Sequence, residues 1–227
     1  MRHDMDGPAD TAIMGIVHEA LRRDLRRSRS ALVTTPYPDG ARCAALAAHL
    51  GWMMQFLHNH HGGEDDGLYP MVRAANPAAG ELLDRMDADH HAIHPAMDAV
   101  EFAAAAWGRS GSEVERVALV AALDELTDVL LPHLDREETE AMPLVSASIT
   151  HRQWEKWDQE HNIRTKSLPV LAEEGNWLID DLDEARRQVV LELVPLIPRL
   201  IVLYGFGPGY RRRAAARWSA PVAAVRS

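Results

Sequence analysis

The sequence predicts an all-α protein, an up-down-up-down four-helix bundle followed by additional C-terminal helices. Two observations favour this fold class. Long segments rich in Ala, Leu, Glu and Arg alternate with short breaks that contain Gly or Pro. No segment alternates apolar and polar residues with the period of two that a half-buried strand requires, and β-branched residues are sparse. A chain of 227 residues is also long enough to bury a core without disulfides.

The Gly and Pro breaks divide the first 149 residues into four predicted helices, and the connections between them are short. The first helix ends before a turn-rich linker at Pro36, and the second ends at Asn76. The third ends at Gly108, and Ser112 with Glu115 predicts a capping box that begins the fourth. The predicted helices cover residues 10–31, 41–74, 78–107 and 113–148. Short connections between long helices are typical of an up-down-up-down bundle.

Residues 150–227 form a separate predicted extension, packed on the bundle formed by residues 1–149. A helix that carries two tryptophans precedes an apolar helix over about 181–204, which Pro195 and Pro198 interrupt. Glu192 and Arg199 within this apolar stretch argue against a membrane span. We expect this helix to pack on the bundle or to form a homodimer contact. The extension is expected to end in a basic tail around residues 211–213.

Composition narrows the classes of function. A single cysteine, Cys43, excludes an intramolecular disulfide and a metal site built from several cysteines. Together with an N-terminus that lacks an apolar signal segment, this predicts a cytoplasmic location. The formal charge of −10 disfavours nucleic acid as a partner. The 12 histidines are more than a chain of this length ordinarily carries, and they cluster.

Each predicted bundle helix places at least one histidine on the apolar stripe that should face the core. Two helices add a carboxylate one turn later, and residues four apart on a helix lie on one face. Buried carboxylates without a partner would be costly, and a metal ion would supply that partner. The predicted metal-ligating residues are His18, His60, Glu64, His90, His94, His133 and Glu137.

Five imidazoles and two bridging carboxylates suit two metal ions. Three histidines would help to fill all the coordination positions of one ion. The other ion, with two histidines, would keep one open coordination position. A site rich in imidazole and free of thiolate favours iron, with manganese or zinc as alternatives. We therefore expect two iron ions joined by an oxo or hydroxo bridge, and a small ligand such as O2, peroxide or NO. The sequence offers no catalytic residue separate from the metal ligands.

These motifs resemble the hemerythrin family, in particular bacterial proteins with the HHE cation-binding domain, over about residues 10–146. The resemblance implies a four-helix bundle around a non-haem di-iron centre, and activities that include O2 binding, sensing, and peroxide or NO chemistry. It leaves Glu138 open as an alternative to Glu137, and His61 as an alternative to His60. The motifs that carry it are residues 18–25, 60–70, 90–94 and 133–138.

Two other functions compete with a redox di-iron protein. A ferritin-like di-iron site requires a Glu-x-x-His motif on two helices, and this sequence contains none. A non-enzymatic iron or oxygen sensor, in which metal occupancy changes the extension, stays open as the alternative. The residues alone do not decide whether the protein is an enzyme.

Overall fold

The computed structural model describes residues 4–194 and 196–218. Throughout these two ranges the regular elements are helices, and no β-strand is present in them. The prediction of an all-α protein is confirmed.

Four helical rods form the bundle, in which the first rod lies against the second and the third against the fourth. 

The second rod also lies along the third, and the first along the fourth, so each rod contacts every neighbour around the bundle axis. Each of the second and fourth rods is an α-helix that continues through a π-helical turn into a short α-helix. The rods are α1 (Ala12–Val33); α2 (Gly40–Gly63), a π turn (Glu64–Leu68) and α3 (Tyr69–Ala75); α4 (Gly80–Ser110); and α5 (Glu113–Arg136), a π turn (Glu137–Ala141) and α6 (Met142–Ser148).

The two π turns occupy the same place in a repeated motif, His-x3-Glu-x5-Pro. Glu64 begins the first π turn and Pro70 follows it by six residues, while Glu137 and Pro143 have the same spacing in the fourth rod. A proline has no N–H to donate, and its ring clashes with the carbonyl four residues earlier, so the helix widens just before it. The widened turns set the directions of the two glutamates.

The caps fix where the rods begin and end. Ser112 caps α5 as predicted, because its hydroxyl accepts a hydrogen bond from the backbone N–H of Glu115. The Glu115 side chain does not return this bond to the Ser112 backbone and instead accepts one from the Ser110 hydroxyl. The predicted capping box is therefore half formed.

The bundle interior consists of two apolar clusters with polar residues between them. One cluster contains residues such as Leu57 and Leu130, and the other contains residues such as Met86 and Leu68. His60 follows Leu57 by three residues, and His133 follows Leu130 by the same interval. The apolar residues on both sides therefore hold a layer of histidine and glutamate side chains away from water.

The extension consists of short helices, and the predicted apolar helix over 181–204 is interrupted in the structure. Pro195, one of its two predicted breaks, lies outside the described residues. The basic residues around 211–213 lie within a helix whose Tyr210 and Ala214 are buried, so they are not the loose tail that the sequence predicts. The elements are α7 (His151–Asp158), a π turn (Gln159–Ile163), α8 (Leu168–Leu178), α9 (Glu184–Glu192), α10 (Leu196–Leu200), a π turn (Ile201–Phe206) and α11 (Gly207–Trp218).

The start of the extension packs directly on the π turn of the second rod. Trp157 donates a hydrogen bond from its indole Nε1 to the carbonyl of Gly63 at 2.7 Å. A Cβ atom on Gly67 would lie 2.7 Å from Cδ1 of Trp157, so only glycine fits at this position. No helix within the described ranges is both long enough and apolar enough to cross a membrane.

Candidate metal centre

Six of the seven predicted site residues come together in the polar layer between the two apolar clusters. Each rod contributes at least one of them, and every one is buried. The two glutamates are the first residues of the two π turns. The six residues are His18 on α1, His60 on α2, Glu64, His90 on α4, His133 on α5 and Glu137.

The buried donor atoms fall into two groups of three. One group contains His61, His90 and His133, and the other contains His18, His60 and Glu137. Within each group, one potential ligand atom from each residue lies within 4.8 Å of the others. Each group is compact enough to surround a single cation.

Glu64 lies between the groups, and Glu137, a member of the second group, also reaches the first. Glu64 places Oε1 3.2 Å from Nε2 of His60 and Oε2 3.6 Å from Nε2 of His90. The Oε2 atom of Glu137 lies 3.3 Å from Nε2 of His18 and 3.6 Å from Nε2 of His133. Each carboxylate therefore reaches one histidine from each group, as a bridging ligand of a metal pair would.

The donor atoms that point into this centre lack hydrogen-bond partners. Among the described residues, sixteen buried side-chain nitrogen and oxygen atoms have no partner, and ten of them belong to this centre. They include Nε2 of all five histidines and both carboxylate oxygens of Glu64. Buried polar atoms ordinarily have partners, so a cluster of unpartnered donors needs an explanation. Cations would satisfy the Nε2 atoms and the carboxylate oxygens together, and the residues present fit a pair of metal ions.

A second layer of carboxylates hydrogen-bonds to two of the rings and lies near a third. The Glu138 carboxylate lies 2.9 Å from Nδ1 of His18, and that of Asp65 lies 2.7 Å from Nδ1 of His90. Asp89 lies 3.5 Å from Nδ1 of His133. A carboxylate that accepts the Nδ1 proton leaves Nε2 free to face the centre, which is the usual arrangement around metal-bound histidines. Glu137, and not Glu138, therefore faces the centre itself.

Burial and mutual repulsion govern the proton affinities in the centre. Burial lowers the pKa of His60 to about 3 and that of His133 to about 4. Burial, together with the nearby charge of Glu137, raises the pKa of Glu64 well above its usual range. Burial opposes ionisation of Glu137 too, but contact with His18 holds the pKa of Glu137 below its usual value. A cation between the two carboxylates would favour the ionised form of both.

Comparison with protein families agrees with this arrangement. The model of the hemerythrin HHE cation-binding domain matches residues 10–145, which is more than half of the chain. The chain belongs to the hemerythrin HHE family. A search of curated proteins and a search of solved structures found no match. The matched range contains the first three rods, the fourth rod as far as Val145, and all the clustered histidines and glutamates.

His94 is the predicted site residue that this hemerythrin domain does not bring to the centre. Its side chain is exposed, and its ring lies 5.2 Å from that of His58 on the outside of the bundle. The prediction that His94 faces the core is wrong because the buried stripe of α4 continues from His90 through Ile93, one residue before His94. The stripe comprises Leu83, Met86, His90, Ile93, Met97, Val100, Ala104 and Trp107.

His61 supplies the fifth buried imidazole instead. Its ring stacks on that of His90 with centroids 4.1 Å apart, and its side chain is fully buried. Helix α2 packs against α1, α4 and α11, so its buried face is wide enough to include two adjacent positions, His60 and His61. The sequence signal for His61 was its spacing of four residues from Asp65, which repeats the spacing of His60 and Glu64 one position later.

A pair of substitutions tests whether His61, and not His94, lies at the metal centre. We expect His61→Ala to lower the metal content per chain, because it removes one of the three imidazoles of its group. His94→Ala should leave the metal content unchanged, because His94 is exposed on the outer surface. Elemental analysis of both purified variants measures the difference. Equal metal content in the two variants would contradict the placement of His61.

Proposed function

We propose that this hemerythrin domain holds a redox-active pair of iron ions that binds O2 or a related small oxidant, such as peroxide or NO. One observation carries the proposal: two groups of buried, unpartnered donors that two glutamates connect. Imidazole and carboxylate donors without thiolate favour iron, with manganese or zinc as less favoured occupants. Iron would supply the one-electron chemistry that no side chain of the centre can provide.

The protein residues would hold the ions unequally. Three imidazoles, from His61, His90 and His133, would serve one ion. The other ion would have the two imidazoles of His18 and His60, which leaves room for a small ligand on that side. Glu64 and Glu137 would bridge the ions and balance part of their charge. The apolar clusters above and below would keep bulk water from the pair.

Tyr69 is the nearest proton donor that is not itself one of the clustered histidines and glutamates. Its hydroxyl donates to Oε1 of Glu137 at 3.3 Å, and burial raises the pKa of this phenol well above its usual range. The phenol therefore stays protonated and orients the carboxylate. Turnover of peroxide or NO would depend on redox cycling of the metals, because the centre contains no separate acid and base pair.

Anaerobic loading with ferrous iron, followed by air, tests the proposal. We expect two irons per chain and a near-ultraviolet charge-transfer band of an oxidised, bridged pair. Addition of peroxide with an oxygen electrode then separates an enzyme, which evolves O2 catalytically, from a carrier. His133→Ala should lose the paired loading and the band. Full loading in that variant would contradict the role of α5.

A metal-dependent sensor is the second candidate. Its support is the hydrogen bond from Trp157 to Gly63, because this contact connects the extension with the π turn that begins at Glu64. A sensor would show metal-dependent protease cleavage within residues 150–218 and no turnover of peroxide. Turnover together with identical cleavage of the loaded and metal-free chains would reject it.

We also propose that two copies of the chain associate through the C-terminal helices. An apolar stripe at helical spacing faces outward across α9, α10 and the following π turn. Its residues are Val189, Leu193, Leu196, Ile197, Leu200, Ile201 and Tyr204.

The single buried cysteine supports a cytoplasmic location, and the net charge of −10 supports a function without nucleic acid.

Substitutions in the stripe test the homodimer. Ile197 is 71% exposed, so Ile197→Asp should leave the fold intact while placing a charge in the contact. We expect sedimentation analysis to show a dimer for the natural chain and a monomer for this variant. Phe102→Asp is the matched control, because Phe102 is 76% exposed on the distant helix α4. A dimer that survives Ile197→Asp would contradict the proposed surface.

A further inference from the structure

A continuous row of aromatic rings leads from the candidate metal centre to the surface of the bundle. The ring of His60 stacks on Phe56 with centroids 6.1 Å apart. Phe56 contacts Trp177 at 4.8 Å and Trp52 at 5.9 Å, and the two tryptophans contact each other at 5.2 Å. Trp52 is partly exposed, so the row begins at a histidine of the centre and ends in contact with solvent.

A buried carboxylate fixes the middle of this row. Asp24 accepts a hydrogen bond from Nε1 of Trp177 at 2.9 Å, and His49 lies 2.7 Å from the same oxygen. The His49 ring in turn stacks on Trp52 with centroids 5.5 Å apart. Trp177 is fully buried and belongs to α8, outside the matched domain. The extension therefore adds a second, buried indole to the aromatic row that His60, Phe56 and Trp52 form on α2.

We propose that Trp52 and Trp177 form an electron path between an external one-electron donor and the metal pair of this domain. Indole is among the side chains that lose an electron most readily, and electron tunnelling slows steeply as the gap between donor and acceptor widens. Two tryptophans in ring contact shorten the gap between solvent and His60. This inference rests on the proposed function, because the metal pair is the electron acceptor.

The path carries one electron at a time. When peroxide has supplied the oxidising equivalents at the centre, Trp177 would lose one electron toward it through Phe56 and His60. The positive charge on the Trp177 indole would lie beside the Asp24 carboxylate, and the N–H proton would stay in that hydrogen bond. Trp52 would refill Trp177, and a one-electron donor of the reduced flavin class would refill Trp52. The indoles exchange only electrons, and peroxide leaves as water after taking up two electrons and two protons.

Reduction of the peroxide-oxidised, iron-loaded protein by reduced flavin mononucleotide tests the path. Stopped-flow absorbance follows the oxidation of the flavin, and rapid-freeze electron paramagnetic resonance looks for a tryptophan radical after one equivalent of peroxide. The variants are Trp52→Phe and Trp177→Phe, which keep an aromatic ring but remove the oxidisable indole. Trp107→Phe is the matched control, because Trp107 is fully buried in the same bundle and outside the row.

We expect Trp52→Phe and Trp177→Phe to slow reduction severalfold and to lose the radical signal, while Trp107→Phe matches the natural chain. Trp52→Tyr should restore part of the rate, because a phenol can also be oxidised. Equal reduction rates and equal radical yields in all variants, at two irons per chain, would overturn the electron path alone. A natural chain without iron, identified by elemental analysis, would overturn the path together with the proposed function.

Discussion

Replacing Glu137 by Gln is expected to abolish loading of the metal pair. Oε2 of Glu137 lies within 3.6 Å of His18 in one group and of His133 in the other, so the change affects both metal positions. A neutral amide cannot bridge two cations as a carboxylate does. We expect the loss of at least one metal ion per chain, and a loss of affinity larger than the ~10–100-fold that outer residues of metal sites typically contribute. Titration with ferrous iron under anaerobic conditions measures both quantities.

Glu138→Gln is the matched control for this prediction. Glu138 is the adjacent residue, and it contacts Nδ1 of His18 on the side of the ring that faces away from the centre. Its loss should weaken binding modestly and keep two metal ions per chain. Circular dichroism of both metal-free variants confirms that the helices persist. Identical stoichiometry in Glu137→Gln and the natural chain would show that Glu137 does not bridge.

Replacing Asp24 by Ala is expected to destabilise the fold strongly. The Asp24 carboxylate is fully buried and accepts hydrogen bonds from Arg23 at 2.8 Å and from Trp177 at 2.9 Å. Its removal leaves the Arg23 guanidinium buried without its carboxylate partner and with hydrogen bonds to backbone carbonyls alone. Loss of one member of a buried ion pair typically costs ~3–5 kcal/mol of unfolding free energy. For a chain of this size, each kcal/mol lowers Tm by about 2–4 °C. Thermal and urea unfolding measure the loss.

Asp124→Ala provides the comparison for a surface pair. Asp124 binds Arg29 in an exposed position, so its loss should cost about 1 kcal/mol or less. Losses of equal size in the two variants would contradict the importance of the buried carboxylate.

The acid dependence of stability gives an independent check on Asp24. Burial opposes its ionisation, but His49 and Arg23 hold the pKa of Asp24 below its usual value. A carboxyl whose pKa is lower in the folded state stabilises the fold fully above its unfolded pKa, near 4. That contribution is lost as the pH falls from there toward the lower folded pKa. The natural chain should therefore lose more stability across this acidic range than Asp24→Ala does.

Helical periodicity was sufficient to predict the bundle and most of the centre. His18, His60, His90 and His133 lie on apolar stripes whose spacing is local and readable from the sequence. His94 was predicted wrongly because His90 and Ile93 already define the stripe, and an offset of one residue turns a side chain about 100° around the helix. Periodicity likewise does not decide between His60 and His61, which are adjacent and both histidine.

The parts that the sequence did not predict depend on contacts between distant segments. The π turns follow from Pro70 and Pro143, whose equal spacing from the two glutamates was a readable but unused signal. The hydrogen bond between Asp24 and Trp177 joins residues 153 positions apart, and no local pattern indicates it. The helix that contains residues 211–213 is likewise fixed by packing against α2 and not by its own composition.

The most direct test of the metal centre is the metal content of freshly purified, natural chain, measured by elemental analysis alongside the protein concentration. Five clustered imidazoles and two connecting carboxylates predict two ions for each polypeptide, with iron in excess of manganese and zinc. Protein that contains no metal, and that takes up none from anaerobic ferrous solution, would contradict the assignment of these side chains as ligands.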